Sequence, residues 1–277
     1  MTVRLAASNI AWDPTEDDDI ASVLRSAGFT GVEVAPTKRW ESPLDATARD
    51  IADYRAHWAD RGLAIVAMQA LLFGRPDLQL FGPAGVRRAL CEYLTGLIEL
   101  AHGLGAHALV FGSPKNRKRG SMPVAEANAI ATDFFRELGA VALARQCVIC
   151  IEPNPPAYDC DFVNSTAEAV ALCEAVDSCG VRVNGDVGAM VAQNEDPLTT
   201  IAGARGWLGH FHVSEPALAE ITDSPHQAAA ATALAESGYS NWVSIEMRAT
   251  AEGSRTEALR RVVATVSRLH AGGNRNR

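Results

Sequence analysis

Four short apolar runs in the second half of the chain each end in a side chain able to bind a metal ion or move a proton. CVICIE ends in Glu152, VRVNGD in Asp186, LGHFH in His212 and WVSIE in Glu246. A single carboxylate in such a place reads as a helix cap or a salt-bridge partner. Four donors in succession, converging without a cation, would repel one another and lose hydration. A divalent ion removes that conflict. Three carboxylates with one imidazole form a mainly hard oxygen set, which favours Mn2+ or Mg2+ and is compatible with Co2+ or Zn2+.

The elements that must position these residues follow from periodicity. Eight short apolar runs read as strands: Val3–Ser8, Gly31–Val34, Ala64–Met68, Ala108–Phe111, Val148–Glu152, Val181–Asp186, Leu208–His212 and Val243–Glu246. Amphipathic stretches lie between most of them, among them DDDIASVLRSAGF, TARDIADYRAHWADRG and AEANAIATDFFRELGAVALA. Glycines close several helices just before the next strand, in SAGFTGVEV, DRGLAIVAM and GLGAHALVF. Ser165 or Thr166, followed by Glu168, reads as a helix start. The segment after the sixth strand is irregular, so a short helix is expected there.

Strict alternation of strand and helix means a parallel sheet. Eight units with no splitting linker, and no G-x-G-x-x-G or Walker-type loop, point to one (β/α)8 TIM barrel over residues 1–271. Residues 272–277, with no large apolar side chain, read as a disordered tail. In such barrels the chemistry sits at the C-terminal mouth, where the four donors fall.

Bulk properties agree. The 277 residues are 48% hydrophobic with 6% aromatics, and the net charge is −8. An acidic surface argues against nucleic acid as a partner, since that binding neutralises phosphates. No apolar run is long enough to suggest a membrane span or a signal peptide. Of the six cysteines, Cys147 and Cys150 make a C-x-x-C string inside an apolar run. They read as buried thiols of a cytoplasmic protein rather than a redox or metal motif.

The segments IEPNPPAYDCDFVNS, VNGDVGAM, GHFHVSEP and WVSIEMR resemble those of the xylose isomerase-like barrels. The likeness is closer to the sugar isomerase/epimerase branch, which holds ketose 3-epimerases, inosose-processing enzymes and hydroxypyruvate isomerase. It covers essentially the whole chain. The resemblance implies one divalent metal held by Glu152, Asp186, His212 and Glu246, with Glu152 and Glu246 also acting as the acid/base pair. It implies a small carbohydrate partner (a sugar, sugar phosphate or sugar acid) and proton transfer through a metal-stabilised enediolate. Barrels of this family often pair as dimers or tetramers. This chain departs from the epimerase pattern at Ala189, where a histidine is usual, and at Leu218, where an arginine is usual.

Other mouth residues complete the expectation. Glu33 and Gln69 suit substrate hydroxyls, or an ion pair and a loop cap. Lys115 and Arg117, with Lys118 and Arg119, form either a solvated charge run or an anion clamp, which Lys38, Arg39 and Trp40 could join. Glu215 stands where it could replace part of the missing contacts, and Arg248 where it could reach the substrate. His210 shares an inward face with His212 one layer deeper and reads as a hydrogen-bonded supporting histidine. The competing readings are a sugar-binding barrel without catalysis, a related lyase or dehydratase, and an endonuclease IV-like phosphodiesterase. The last would need further histidines near Glu33, Gln69 and Ala189.

Overall fold

Strand propensity and burial close the sheet on itself. In the computed structural model, which describes residues 3–249 and 255–271, eight parallel strands pair in sequence order and the last pairs with the first. They are β1 (Arg4–Ser8), β2 (Gly31–Val34), β3 (Ala64–Met68), β4 (Ala108–Phe111), β5 (Val148–Ile151), β6 (Val181–Asp186), β7 (Leu208–Val213) and β8 (Trp242–Ile245). The helices are α1 (Asp17–Ser26), α2 (Ala48–Asp60), α3 (Ala84–Leu104), α4 (Val124–Ala144) and α5 (Thr166–Val176), then α6 (Val187–Ala192), α7 (Pro197–Gly203), α8 (Pro225–Ser237) and α9 (Arg255–Ala271). The expected (β/α)8 barrel is therefore the fold.

Local chemistry explains where elements start and stop. Thr47 and Asp50 form a reciprocal capping box at α2, and the Ser165 hydroxyl accepts the Glu168 amide to start α5. Gly105 ends α3 at φ +82°, a conformation that a side chain would strain. After β6 the chain makes two short helices, α6 and α7, rather than one. The alanine-rich α8 lacked a distinct apolar face in the sequence and was not among the expected helices.

The outward faces of the strands supply the core beneath the helices. Ile149, Ile151, Val183, Phe211, Val243 and Ile245 are all fully buried there. Inside the barrel, the lower layer is small and apolar, with Ala6, Val66, Ala67, Ala108 and Cys150 packed together. Above it the interior turns polar. Cys147 and Cys150 are buried free thiols, as expected, and burial pushes Cys147 up to about 11. Among the described residues no helix is long and apolar enough to cross a membrane. The tail 272–277 lies outside the described residues.

Candidate metal centre

Period-two alternation places each donor directly above an inward residue of the same strand. Glu152 stands above Cys150, Asp186 above Asn184, His212 above His210 and Glu246 above Ser244. Glu152 and Glu246 lie one residue past their ladders. Each stays tied to the preceding strand, because the Glu152 amide donates to the Phe111 carbonyl (3.1 Å) and the Glu246 amide to that of Val213 (2.9 Å). Asp186 and His212 are strand residues and face each other in register.

The four side chains converge. One donor atom from each of Glu152, Asp186, His212 and Glu246 lies within 4.8 Å of all the others. His212 is the hub. Its Nδ1 lies 3.2 Å from Glu152 Oε1, 3.2 Å from Glu246 Oε2 and 3.8 Å from Asp186 Oδ2. His212 is fully buried, and Asp186 and Glu246 are 6% and 7% exposed.

Asp186 and Glu152 are anchored through both carboxylate oxygens. Asp186 Oδ1 accepts the Ala189 amide (2.5 Å) and Oδ2 the Ser214 hydroxyl (2.7 Å), while Ser214 Oγ takes the Gly188 amide (2.9 Å). Glu152 Oε1 accepts from Asn184 Nδ2 (2.8 Å) and Oε2 from Asn154 Nδ2 (3.2 Å). Gly112 leaves room beside it, since a Cβ there would meet Glu152 Oε2 at 2.3 Å and displace that carboxylate. Among the described residues the buried carbonyl oxygen of Asn184 has no hydrogen-bond partner.

The electrostatics are those of crowded anions. Burial, then the charges of Glu152 and Glu246, push Asp186 up to about 7. Burial also raises Glu246, outweighing the attraction of His212. Desolvation acts to raise the partly exposed Glu152 as well, but its hydrogen bond and charge contact with His212 hold it below the usual carboxylate range. His212 is raised well above its ordinary value because the surrounding carboxylates outweigh its own burial. A compact, buried O3N donor set that must otherwise hold extra protons fits a divalent cation. The donors are the right type, and the cation would relieve the repulsion.

The structure sorts the other expected residues. Glu33 is fully buried below His212, with both carboxylate oxygens 3.1 Å from His212 Nε2. It has no solvent-exposed surface in this structure. Gln69 is buried and donates to Ser8 Oγ (2.8 Å). His210 is fully buried, its Nε2 3.3 Å from Glu33 Oε1 but without hydrogen-bond geometry, so both ring nitrogens lack a hydrogen bond. It sits one layer below His212, beside Glu33.

Most cations of the β4–α4 loop already have protein partners. Lys118 pairs with Asp159, and Arg119 donates through its amide to Asp161 Oδ1 (2.7 Å) and through Nε to the Asp161 carbonyl (3.1 Å). Lys115 is exposed. Arg117 is 1% exposed; its Nη2 donates to the Glu152 carbonyl (2.6 Å), while Nε and Nη1 are buried without partners among the described residues. Lys38 and Arg39 line a separate pocket of about 240 Å³ with Trp12, Asp17, Tyr54 and His57. Trp40 packs edge-on against Tyr54 at 5.3 Å. Glu215 accepts from Thr222 Oγ1 (3.2 Å) and Gln227 Nε2 (3.4 Å) and so ties its own loop together. Arg248 is exposed, and its amide donates to the Leu218 carbonyl (2.9 Å).

Asn184 and Ser244 are the residues sequence reasoning missed. The Ser244 hydroxyl donates to Glu33 Oε2 (2.7 Å), and Asn184 touches both Glu152 and His212. The signal was available, since the two-residue offset that picked out His210 also picks out these two.

No curated protein sequence matches the chain. Several solved structures share its fold. An L-ribulose 3-epimerase superposes with a TM-score of 0.80 at 18% identity, over 99% of this chain and 96% of that one. The D-psicose 3-epimerase of Clostridium cellulolyticum H10, solved with D-tagatose, gives 0.76 at 16% identity over 98% of both chains. The IOLI protein with a bound zinc atom gives 0.73 at 15% identity, again over 98% of both. At the level of sequence family, residues 21–265 match the Xylose isomerase-like TIM barrel. The chain belongs to that family.

Proposed function

We propose that this protein is a divalent-metal-dependent isomerase or epimerase of a small sugar, sugar phosphate or sugar acid. The observation that carries the reading is the buried convergence of Glu152, Asp186, His212 and Glu246 within 4.8 Å at the barrel mouth. The related folds include epimerases of ribulose and psicose and a 3-keto-D-glucoside 4-epimerase, which supports the same class of chemistry. The mainly oxygen donor set favours Mn2+ or Mg2+, and the zinc of the IOLI protein keeps Zn2+ in the set of ions to try.

The proton beside a sugar carbonyl is too weakly acidic to leave unaided. A cation in this site supplies positive charge at the carbonyl and its neighbouring hydroxyl. The chain itself supplies the proton carriers. Glu152, held below the usual carboxylate range, serves as the base that removes the proton. Glu246, raised by burial, serves as the acid that returns one. The two come from β5 and β8, at opposite ends of the four-strand arc. A sugar held between them could be protonated on the face opposite the one deprotonated, which inverts the centre, or at the neighbouring carbon, which isomerises it.

The test has two parts. Elemental analysis of protein purified without chelator is expected to give about one Mn, Mg, Co or Zn per chain, reduced in Glu246→Gln. Incubation of the metal-loaded protein with ketoses, inososes and sugar phosphates in D2O is expected to put solvent deuterium on the carbon next to the carbonyl. Metal binding without any exchange over that panel would move the reading to a sugar-binding barrel, which Ala189 and Leu218 already favour as the second choice.

A further inference from the structure

We propose that Glu33 is a positioning residue that fixes which nitrogen of His212 faces the cation. Its buried carboxylate accepts a hydrogen bond from Nε2–H and leaves the lone pair of Nδ1 for the metal. The inference rests on the metal centre proposed above.

The geometry is specific. Both Glu33 oxygens lie 3.1 Å from His212 Nε2, on the side of the ring away from Glu152, Asp186 and Glu246. An ionised carboxylate only accepts hydrogen bonds, so Nε2 must carry a proton there. A neutral imidazole then has its one lone pair on Nδ1, the atom 3.2–3.8 Å from the three carboxylates. Asn184 Nδ2, a donor, lies 3.2 Å from the same Nδ1 and suits that tautomer.

Glu33 is itself held. The Ser244 hydroxyl spends its only proton on Oε2 at 2.7 Å, and Ser244 is in register with His212 across the β7–β8 ladder. Neither Glu33 nor Ser244 has measurable solvent exposure, so water cannot supply a competing partner. A carboxylate behind a ligating imidazole orients the ring and strengthens its donor atom.

A rival use of the same atoms is a second cation held by Glu33, His210 and His212, whose donor atoms also lie within 4.8 Å of one another. It would require His212 to lose its remaining ring proton and bridge two ions. A single carboxylate in a fully buried layer favours the hydrogen bond over that arrangement.

The experiment uses Co2+ as the probe on the full chain, as wild type, Glu33→Gln and Ser244→Ala. Binding is measured by calorimetry, and the ring proton by one-dimensional proton NMR of the Co2+-loaded protein. Wild type is expected to bind one Co2+ and to show one strongly shifted N–H resonance that fades slowly in D2O. Glu33→Gln is expected to weaken Co2+ about 10- to 100-fold and to move or abolish that resonance. Ser244→Ala is expected to keep the resonance, speed its exchange and weaken Co2+ less; it decides alone if Glu33→Gln does not fold. Unchanged affinity with an unchanged resonance in the folded variants overturns the inference and leaves the metal centre standing. Two Co2+ per wild-type chain, one of them lost in Glu33→Gln, overturns it in favour of the second cation. A wild type that binds no Co2+ overturns both readings.

Discussion

Two regions of the barrel mouth concentrate charge, and they dispose of it in opposite ways. Between the β4 and β5 loops, Lys118 meets Asp159, and the Asp161 carboxylate takes the amides of Arg119 and Gly120 at 2.7 and 2.9 Å. These groups lie at or near the surface and satisfy one another. At the ends of β5 to β8, three carboxylates crowd around one imidazole out of water. Opposite charges meeting in water staple a loop at little net energy. Like charges meeting in a low-dielectric interior are costly and persist only where something compensates them. Buried crowding of like charge therefore marks the candidate site, and density of charge alone does not.

The largest effect expected from breaking the buried cluster is on turnover. Glu246→Gln and Glu152→Gln keep the shape of the side chain and remove its ability to carry a proton. Each is expected to fold and to lose roughly 10²- to 10⁴-fold in kcat on whatever substrate the exchange screen identifies. Steady-state rates with fully metal-loaded protein separate this from simple loss of metal. Retained activity in Glu246→Gln would refute its place as acid or base.

The next effect is on stability and reads the crowding directly. With its folded value near 7, Asp186 holds a proton in the metal-free protein that the unfolded chain releases above about pH 4. Its contribution to stability is therefore complete below about pH 4 and is lost as pH rises through about 7. Glu152 is shifted the other way, so the comparison must be between proteins and not along one curve. In chelator-treated samples, the Tm of wild type relative to Asp186→Asn is expected to fall between pH 4 and 7. A difference that stays constant over that range would show that the anions are not crowded as the geometry implies.

How much of this was legible in the sequence depends on whether the governing contact was local. The runs at Gly31–Val34 and Val181–Asp186 read directly as strands, because alternation and flanking turns are local properties. The ring of four was legible too, since strand ends in a barrel share one mouth. What failed was depth and pairing. Nothing near Glu33 says that β2 slips by a residue against β3 between Val32 and Glu33, or that the carboxylate ends beneath His212. Nor does the run GSPKNRKRG reveal that Lys118 finds its carboxylate 41 residues away. Ser244 and Asn184 went unseen because small polar residues on a strand carry no signal of their own; only their offset from Glu246 and Asp186 marks them.

Arg117 stands between the two regions, and its replacement sharpens the comparison. It belongs to the stapled loop, yet it is buried like the cluster, and its charge helps keep Glu152 ionised. Arg117→Met removes a buried charge that has two unpartnered nitrogens, so thermal stability is expected to hold or rise. Metal affinity is expected to fall, because a positive charge that favours the ionised Glu152 is lost. Calorimetric titration and a melting curve on the same sample check both. Unaltered affinity with a large drop in Tm would assign Arg117 to the scaffold instead.

The smallest effect belongs to the paired charges, and it tests the other half of the comparison. Lys118→Ala and Asp159→Ala each break the ion pair that joins the β4 and β5 loops, and both side chains are largely in water. Screening by solvent leaves such a pair little to contribute, and neither group points to a need for a ligand. Both variants are expected to match wild type in metal content, melting temperature and turnover within experimental error. The double variant should do the same, because no coupling is lost that water does not replace. If either single variant lost turnover on a phosphorylated or acidic substrate while keeping it on a neutral one, the loop would be an anion clamp after all. Exposed pairing would then no longer separate scaffold charge from site charge.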